Sequence, residues 1–239
     1  MKGEGNERYD VTSRQFRYLH FPLKCSGRSV YTPQRTGSSV IPFTQKIMKM
    51  RNNFYSLPDT LPVPKDDGSC AHLTGVSLPD LKLRTTSDRF ANFAEITKKP
   101  AVLFFYPRTG RPDEPAPIGW DEIPGARGCT PQSCGYRNHY NDFQTLGIQI
   151  FGVSVQNTEF QKEFIRRTNM PFEFLSDADF KLTESLRLPT FVFNGMRLLK
   201  RMSWFCNQGK IEKFFYPVFP PDKNAETVLK WIKEFKPKF

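Results

Sequence analysis

The sequence predicts an α/β domain with a central mixed sheet flanked by helices, preceded by a non-globular N-terminal extension. Downstream of Thr74, strand and helix patterns alternate before several strands and one closing helix, an order typical of this class. Residues 101–106 and 149–155 are short continuous apolar runs, as expected for strands buried on both faces. Asn194-Gly195 lies between two apolar runs and is the strongest two-residue signal for a β-hairpin.

The individual elements follow from local periodicity and turn residues. A short hairpin is expected over residues 76–83, because the turn residues Pro79-Asp80 separate two pairs of apolar residues. Further strands are expected at residues 101–106, 149–155, 172–175, 190–193, 196–199, 201–206 and 210–215. Helical patterns cover residues 130–146, 158–168, 180–186 and 224–235, and a loop with five prolines and four glycines spans residues 107–128.

Three segments are expected along the chain: the extension over residues 1–52, a coil lead-in over 53–73 and a domain over 74–239. Residues 1–51 hold 10 Lys and Arg against 3 Asp and Glu, and no acidic residue occurs between Val11 and Asn52. This composition is typical of an import signal, and targeting to an organelle such as the mitochondrion is one interpretation. Acidic residues among the first ten favour the other interpretation, an upstream extension from a mis-assigned start codon and a cytoplasmic protein.

Composition argues against several kinds of function. Most of the net charge of +11 lies in the extension, so the domain is not expected to bind nucleic acid. The longest apolar run has six residues, far fewer than a membrane-spanning helix needs. Five scattered cysteines do not resemble a secreted disulfide framework, and Cys70 and His72 lack a second pair at zinc spacing. We therefore expect a reducing compartment, no metal and no membrane partner.

The segment from Gly128 to Cys134 is the most informative one for chemistry. It lies where a buried strand and a Gly/Pro-rich loop lead into a helix, which places Cys129 at the first helical turn. Unpaired backbone N–H groups and the helix dipole favour an anion there, so a cysteine at this position is expected to react as the thiolate. Pro131 suits the first turn, because its missing N–H costs no helical hydrogen bond. Arg127 and Arg137 are nearby candidates to assist.

Cys134 follows Cys129 by five residues in the same predicted helix. In an intact helix their Cα atoms would lie more than about 7 Å apart, which is beyond the reach of a disulfide. A bond between them requires the first turns to unwind, and such behaviour suits a catalytic cycle. The alternative is two unrelated cysteines, one of them buried.

The motif Gly128-Cys129-Thr130-x-Gln132-x-Cys134 resembles the signature of the peroxiredoxins, in particular the Q-type, bacterioferritin-comigratory-protein-like branch. The resemblance covers residues 76–235. It includes the segment 104–107 before the active-site loop, the strand 150–154, the turn 174–177 and the segments 200–205 and 209–212. The resemblance implies a thioredoxin-like fold for the domain.

The resemblance also implies an activity and a set of site residues. Cys129 would be the peroxidatic nucleophile that reduces hydrogen peroxide or organic hydroperoxides, and Cys134 the resolving cysteine that forms an intramolecular disulfide with it. Arg201 matches the arginine that lies against the thiolate. Gln132 and Pro107 match positions that shape the pocket. Thioredoxin or a similar dithiol would recycle the disulfide, with no metal, haem or flavin, in a monomer or homodimer.

Two positions depart from the family pattern. The threonine expected three residues before the nucleophile is replaced by Ala126, and its hydroxyl could instead come from Thr109 or Thr130. The loop between Pro107 and Cys129 has 21 residues, far more than the family pattern contains. These departures concern the rate and the preferred peroxide more than the type of reaction.

Alternative interpretations of these residues remain open at this point. Arg201 could be an exposed residue at a strand end. A thiol–disulfide reductase usually carries Cys-x-x-Cys, which the motif lacks, and a redox sensor or chaperone without catalysis could use the same scaffold. Cys206 is expected to be a buried core thiol and His139 a surface residue, while Cys25 lies in the extension.

Overall fold

A computed structural model describes residues 57–112 and 114–235, so the predicted extension over residues 1–52 and its Cys25 lie outside the described residues. The strands are β1 (Lys82–Thr85), β2 (Phe90–Asn92), β3 (Ala101–Phe105), β4 (Gln149–Ser154), β5 (Phe174–Ser176), β6 (Thr190–Phe193), β7 (Met196–Leu199), β8 (Met202–Asn207) and β9 (Lys210–Phe215). The helices are α1 (Phe93–Ile96), α2 (Cys129–Asn138), α3 (Tyr140–Thr145), α4 (Thr158–Thr168), α5 (Lys181–Ser185) and α6 (Asn224–Phe235).

Seven of these strands form one mixed sheet in the order β2-β1-β5-β4-β3-β8-β9. The three central strands β5, β4 and β3 run parallel to one another, and β1 and β8 join them antiparallel. Helices connect the parallel strands because a parallel pair needs a crossover. The predicted mixed sheet flanked by helices is therefore confirmed.

Alternate residues of β3 point to opposite faces of the sheet and build two hydrophobic layers. Val102 and Phe104 belong to the layer under helices α2, α3, α4 and α6. Leu103 and Phe105 belong to the opposite layer, which includes Leu182 of α5. Strand β8 alternates in the same way, with Phe205 in the first layer and Met202, Trp204 and Cys206 in the second. Both faces of the sheet are thus covered, as its continuous apolar strands require.

Hairpin β6–β7 forms a separate two-stranded sheet around the predicted Asn194-Gly195 turn. Its Leu199 belongs to the hydrophobic layer on one face of the main sheet, and other residues of the hairpin pack on part of the long loop between β3 and α2. The loop contributes Trp120 and Ala126 to a third hydrophobic cluster with Phe193 and Leu198 of the hairpin. This part of the loop therefore packs against the hairpin as part of the folded domain.

The predicted hairpin over the Pro79-Asp80 turn is wrong. The hairpin instead joins β1 to β2 through a turn in which Asp88 has a positive φ of 63°. Residues 75–78 pair with the start of β9 instead, because Leu78 N–H donates to Gly209 O and Ile211 N–H donates to Val76 O. Residues 75–78 thus pair with a distant strand, although the local turn residues indicated a hairpin.

Two further boundaries differ from the sequence prediction. The helical segment 130–146 is divided into α2 and α3 at His139, and the strand expected at residues 172–175 starts at Phe174. Within the predicted coil lead-in, residues 71–73 form a 3-10 turn, and Cys70 and Leu73 are fully buried in the core. The folded core therefore includes residues upstream of Thr74. In the described part of the chain, no helix is long and apolar enough to cross a membrane.

Candidate active site

Cys129 is the first residue of helix α2, as the sequence predicts. Gly128 precedes it with φ of +105°, and Gly128 O accepts a hydrogen bond from Gln132 N–H at 3.0 Å. The Cys129 side chain is buried with only 4% of the residue exposed, and its Sγ lies 3.7 Å from Ala126 O. The thiol therefore lies at the positive end of the helix dipole, in a site largely shielded from water.

Gly128 is tightly enclosed, which leads to a stability prediction. A Cβ at this position would lie 2.3 Å from Pro221 Cγ and 2.9 Å from Leu57 Cδ2. The proline ring cannot rotate away, so Gly128→Ala is expected to lower the free energy of unfolding by about 2 kcal/mol or more. Gly147→Ala is the matched control, because Gly147 also has positive φ but has nothing within 4 Å. Equal urea midpoints for the two variants would contradict this packing argument.

Arg201 places its guanidinium directly against the thiol. Its Nη2 lies 3.2 Å from Cys129 Sγ, 3.0 Å from Ala126 O and 3.1 Å from Arg127 O. Its Nε donates to Gly125 O at 3.2 Å, and Nη1 donates to Gln132 Oε1. Arg201 is only 3% exposed, so it is not a surface residue at a strand end. With its planar fork held by several acceptors, the cation is fixed where a thiolate would need it.

A buried polar network supports Gln132 from the other side. Asn224, at the start of α6, has its Oδ1 3.0 Å from Gln132 Nε2, 2.9 Å from Tyr136 Oη and 2.6 Å from Ser203 Oγ. Burial raises the pKa of Tyr136, so its hydroxyl stays protonated and can donate. The network ties helix α2 to α6 and β8 and holds Gln132 against the guanidinium of Arg201.

Sequence reasoning missed Asn224, Tyr136 and Ser203 as parts of the site. Asn224 has the pattern of an ordinary residue at a helix start, and Tyr136 and Ser203 have no distinctive spacing. Only the fold brings the three residues together, since Tyr136 and Ser203 are separated by 67 positions and Tyr136 and Asn224 by 88.

Cys134 lies five residues further along the same continuous helix and is half-buried. Burial raises the pKa of its thiol above the ordinary value, and the positive charges of Arg137 and Arg167 partly oppose the shift. Both Cys129 and Cys134 are free thiols in the structure. In the folded helix, Cys134 is therefore protonated at neutral pH and cannot reach Cys129 without local unwinding.

The other residues expected around the pocket are distributed unevenly. Thr130 is buried beside Cys129 and lines the cavity above it, whereas the Thr109 hydroxyl is bound by Gln156 Oε1 at 3.1 Å. Ala126 supplies only its backbone oxygen. Pro107 is buried directly after β3 and does not line the cavity. Of the two threonines considered, only Thr130 lines the cavity.

The two arginines predicted from the sequence to assist the thiolate have their side chains engaged by other groups. Arg127 is in an ion pair with Asp121, with Nη1–Oδ1 at 3.0 Å. Arg137 donates to Thr168 O at 2.6 Å and lies near Cys134. The cation that donates to the sulfur of Cys129 is instead Arg201, which comes from a distant strand end.

The remaining candidates behave as structural residues. Cys206 is fully buried and Cys70 packs its sulfur 3.8 Å from Met202 Sδ, and burial raises the pKa of each thiol. His72 lies 2.9 Å from Leu186 O, and His139 pairs with Asp142 at the surface. Among residues 57–112 and 114–235, no group of three or more His, Cys, Asp or Glu could hold a metal ion.

Sequence comparisons identify a family and several relatives for this chain. The Redoxin family model matches residues 73–229. Peroxiredoxin Q from the chloroplast of Sedum lineare is 27% identical over 163 residues, covering 68% of this chain and 78% of the relative. The chloroplastic peroxiredoxin Q of Arabidopsis thaliana is 27% identical over 160 residues, covering 66% of each chain.

Solved structures agree with the fold. The crystal structure of peroxidoxin BcpB from Mycobacterium tuberculosis superposes with a TM-score of 0.57 at 20% identity, covering 69% of this chain and 99% of that one. A cysteine-to-serine mutant of PrxQ from Xylella fastidiosa superposes with a TM-score of 0.57 at 18% identity, covering 68% and 97%. The predicted thioredoxin-like fold and the resemblance are confirmed: the chain belongs to the Redoxin family and is a peroxiredoxin, a thiol peroxidase similar to the Q-type branch.

Proposed function

We propose that Cys129 is the peroxidatic nucleophile of a two-cysteine peroxidase. The Cys129 thiolate attacks the nearer oxygen of a hydroperoxide and forms an S–O bond as the O–O bond breaks. Sulfur is oxidised to a sulfenic acid, while the departing oxygen takes a proton and leaves as water or an alcohol. The placement of Arg201 Nη2 at 3.2 Å from Cys129 Sγ, at the N-terminus of α2, carries this proposal.

Arg201 and the helix end act on both sides of the reaction. The guanidinium and the unpaired N–H groups stabilise the thiolate before attack. They also offer donors to the peroxide oxygens as negative charge develops on the departing oxygen. Thr130 lines the same cavity, and we assign to its hydroxyl the donor role of the family threonine that Ala126 replaces.

Cys134 is proposed as the resolving cysteine. Its thiolate attacks the sulfenic sulfur, an S–S bond forms, and the hydroxyl leaves as water. The reaction requires the first turns of α2 to unwind, and unwinding removes Cys134 from the environment that raises its pKa. An external dithiol of the thioredoxin type then reduces the disulfide by exchange, with a monomer or homodimer equally compatible with the cycle.

A peroxide-consumption assay tests the proposed function. The reduced full-length protein is expected to consume hydrogen peroxide catalytically with dithiothreitol or thioredoxin as the reductant. A thiol–disulfide reductase would instead reduce insulin disulfides without consuming peroxide. A sensor or chaperone would oxidise once without turnover. Either of those results would overturn the proposal.

Hydrogen exchange gives a second prediction for the same cycle. Amides from Gly128 to His139 are expected to be protected in the reduced protein and to exchange fast once the disulfide has formed. The physical reason is the loss of helical hydrogen bonds, each worth about 1 kcal/mol net. Amides of α4 (Thr158–Thr168) serve as an internal control and should not change. Equal protection of α2 in both states, with the disulfide confirmed by mass, would contradict the unwinding step.

We also propose limits for the peroxidase domain and a compartment for the protein. The peroxidase domain comprises residues 74–239 together with the buried lead-in residues Cys70 and Leu73. The relatives compared above are chloroplastic, which favours the organelle interpretation of the basic N-terminal segment over a cytoplasmic protein. Fusing residues 1–56 to a fluorescent protein and following its location tests this assignment.

A further inference from the structure

The insert between Pro107 and Gly128, residues 108–127, is fixed to the domain at its N-terminal end. Thr109 N–H and Oγ1 lie 2.9 and 3.1 Å from Gln156 Oε1, and Gln156 Nε2 donates to Thr109 O at 3.1 Å. Arg167 of α4 donates to Gly110 O at 3.0 Å. The Arg111 guanidinium lies 5.0 Å from the ring centroid of Phe160. These contacts hold the start of the insert on the loop before α4 and on α4 itself.

The C-terminal half of the insert is fixed by a buried aromatic residue and an ion pair. Trp120 is 5% exposed and packs edge-on against Phe193, with ring centroids 5.1 Å apart. The Asp121 carboxylate binds Arg127, whose side chain is 8% exposed. This ion pair joins two residues of the insert and stabilises its C-terminal half just before α2 begins.

The anchored insert lines the space above the thiol. The cavity over Cys129 has a volume of about 30 Å³. Its wall includes Trp120 and seven further insert residues, which are Arg108, Gly110, Glu114, Pro115, Ala116, Pro117 and Arg127. A space this small beside the thiol admits a compact group more readily than a bulky one.

We propose that the insert is the specificity-determining element of this peroxidase and selects hydrogen peroxide over bulky organic hydroperoxides. Hydrogen peroxide has two heavy atoms and fits the cavity beside Cys129 Sγ. A cumyl or long alkyl group would have to displace the insert from its anchors on Gln156, Arg167 and Phe193. The proposal rests on the proposed function and narrows its substrate class.

Rates with hydrogen peroxide, tert-butyl hydroperoxide and cumene hydroperoxide test the proposal on the full-length protein. We expect kcat/KM to fall at least tenfold from hydrogen peroxide to cumene hydroperoxide. Trp120→Ala removes the main anchor and should raise the rate with cumene hydroperoxide severalfold, narrowing that ratio. Glu114→Ala removes only a half-exposed part of the wall and should shift the ratio in the same direction without affecting folding.

Ile118→Ala is the matched control, because Ile118 lies in the same insert, is 98% exposed and does not line the cavity. It should leave both rates unchanged. Equal kcat/KM for small and bulky peroxides in the unmodified protein would overturn the selectivity. A ratio that stays the same in both Trp120→Ala and Glu114→Ala would overturn the role of the insert. Absence of turnover with every peroxide would instead contradict the proposed function.

Discussion

Cys129→Ser is expected to abolish peroxide consumption, whereas Cys134→Ser should react with one equivalent of peroxide and then stop. A serine hydroxyl has no accessible anionic form at neutral pH, so the first step has no nucleophile. Without Cys134 the sulfenic acid persists or is oxidised further to a sulfinic acid. Mass spectrometry after one equivalent of peroxide distinguishes the two variants, since only Cys134→Ser should gain oxygen at Cys129.

Cys206→Ala provides the control for thiol content. Cys206 is fully buried in the opposite core layer, and its removal should leave turnover intact. A Cys129→Ser protein that still consumed the first equivalent of peroxide at the normal rate would contradict the assignment of the nucleophile. A Cys134→Ser protein with full turnover would instead remove Cys134 from the cycle.

Arg201→Lys is expected to lower the rate of reaction with peroxide by tenfold or more. Lysine keeps the charge but cannot contact Cys129 Sγ, Gln132 Oε1 and the backbone oxygens with one planar group. A hydrogen bond to a charged group is worth about 1.5–3 kcal/mol, and about 1.4 kcal/mol corresponds to one decade in rate. Stopped-flow oxidation and alkylation of Cys129 by iodoacetamide at pH 6 should both slow down.

Arg197→Lys is the matched control for this substitution. Arg197 lies on strand β7, away from Cys129, and makes an exposed ion pair with Glu184 of helix α5. Its replacement should change neither the peroxide rate nor the alkylation rate, because exposed ion pairs contribute little. Unchanged rates in Arg201→Lys as well would show that the guanidinium does not act on the thiol.

Local sequence signals predicted most of the fold. Helix α4 begins after Asn157, whose side chain accepts from Phe160 N–H, and its amphipathic pattern continues to Thr168. Hairpin β6–β7 follows directly from Asn194-Gly195. The first hairpin failed because residues 75–78 pair with a strand more than 130 positions away, and such a partner leaves no trace in neighbouring turn residues.

The candidate site likewise has residues that the sequence indicates and contacts that only the fold creates. Cys129, Cys134 and Arg201 could be chosen from the motif and its resemblance, and the structure brings Arg201 to the sulfur of Cys129. The network through Asn224 and the anchoring of Trp120 could not be chosen, because each depends on contacts between distant segments. Arg127 was suggested by adjacency in sequence, and its guanidinium binds the Asp121 carboxylate while the residue lines the cavity next to Cys129.

The stability of helix α2 affects how the protein responds to excess peroxide. Gly135 is a poor helix former inside this ten-residue helix, and contacts of Gln132 and Tyr136 with Asn224 help to hold the helix together. In the proposed cycle, the Cys129 sulfenic acid reacts either with Cys134, once α2 has unwound, or with a second peroxide molecule. Contacts between α6 and α2 that slow unwinding are therefore expected to favour overoxidation and inactivation at high peroxide concentration. Mass spectrometry would measure this inactivation as the fraction of sulfinate at Cys129.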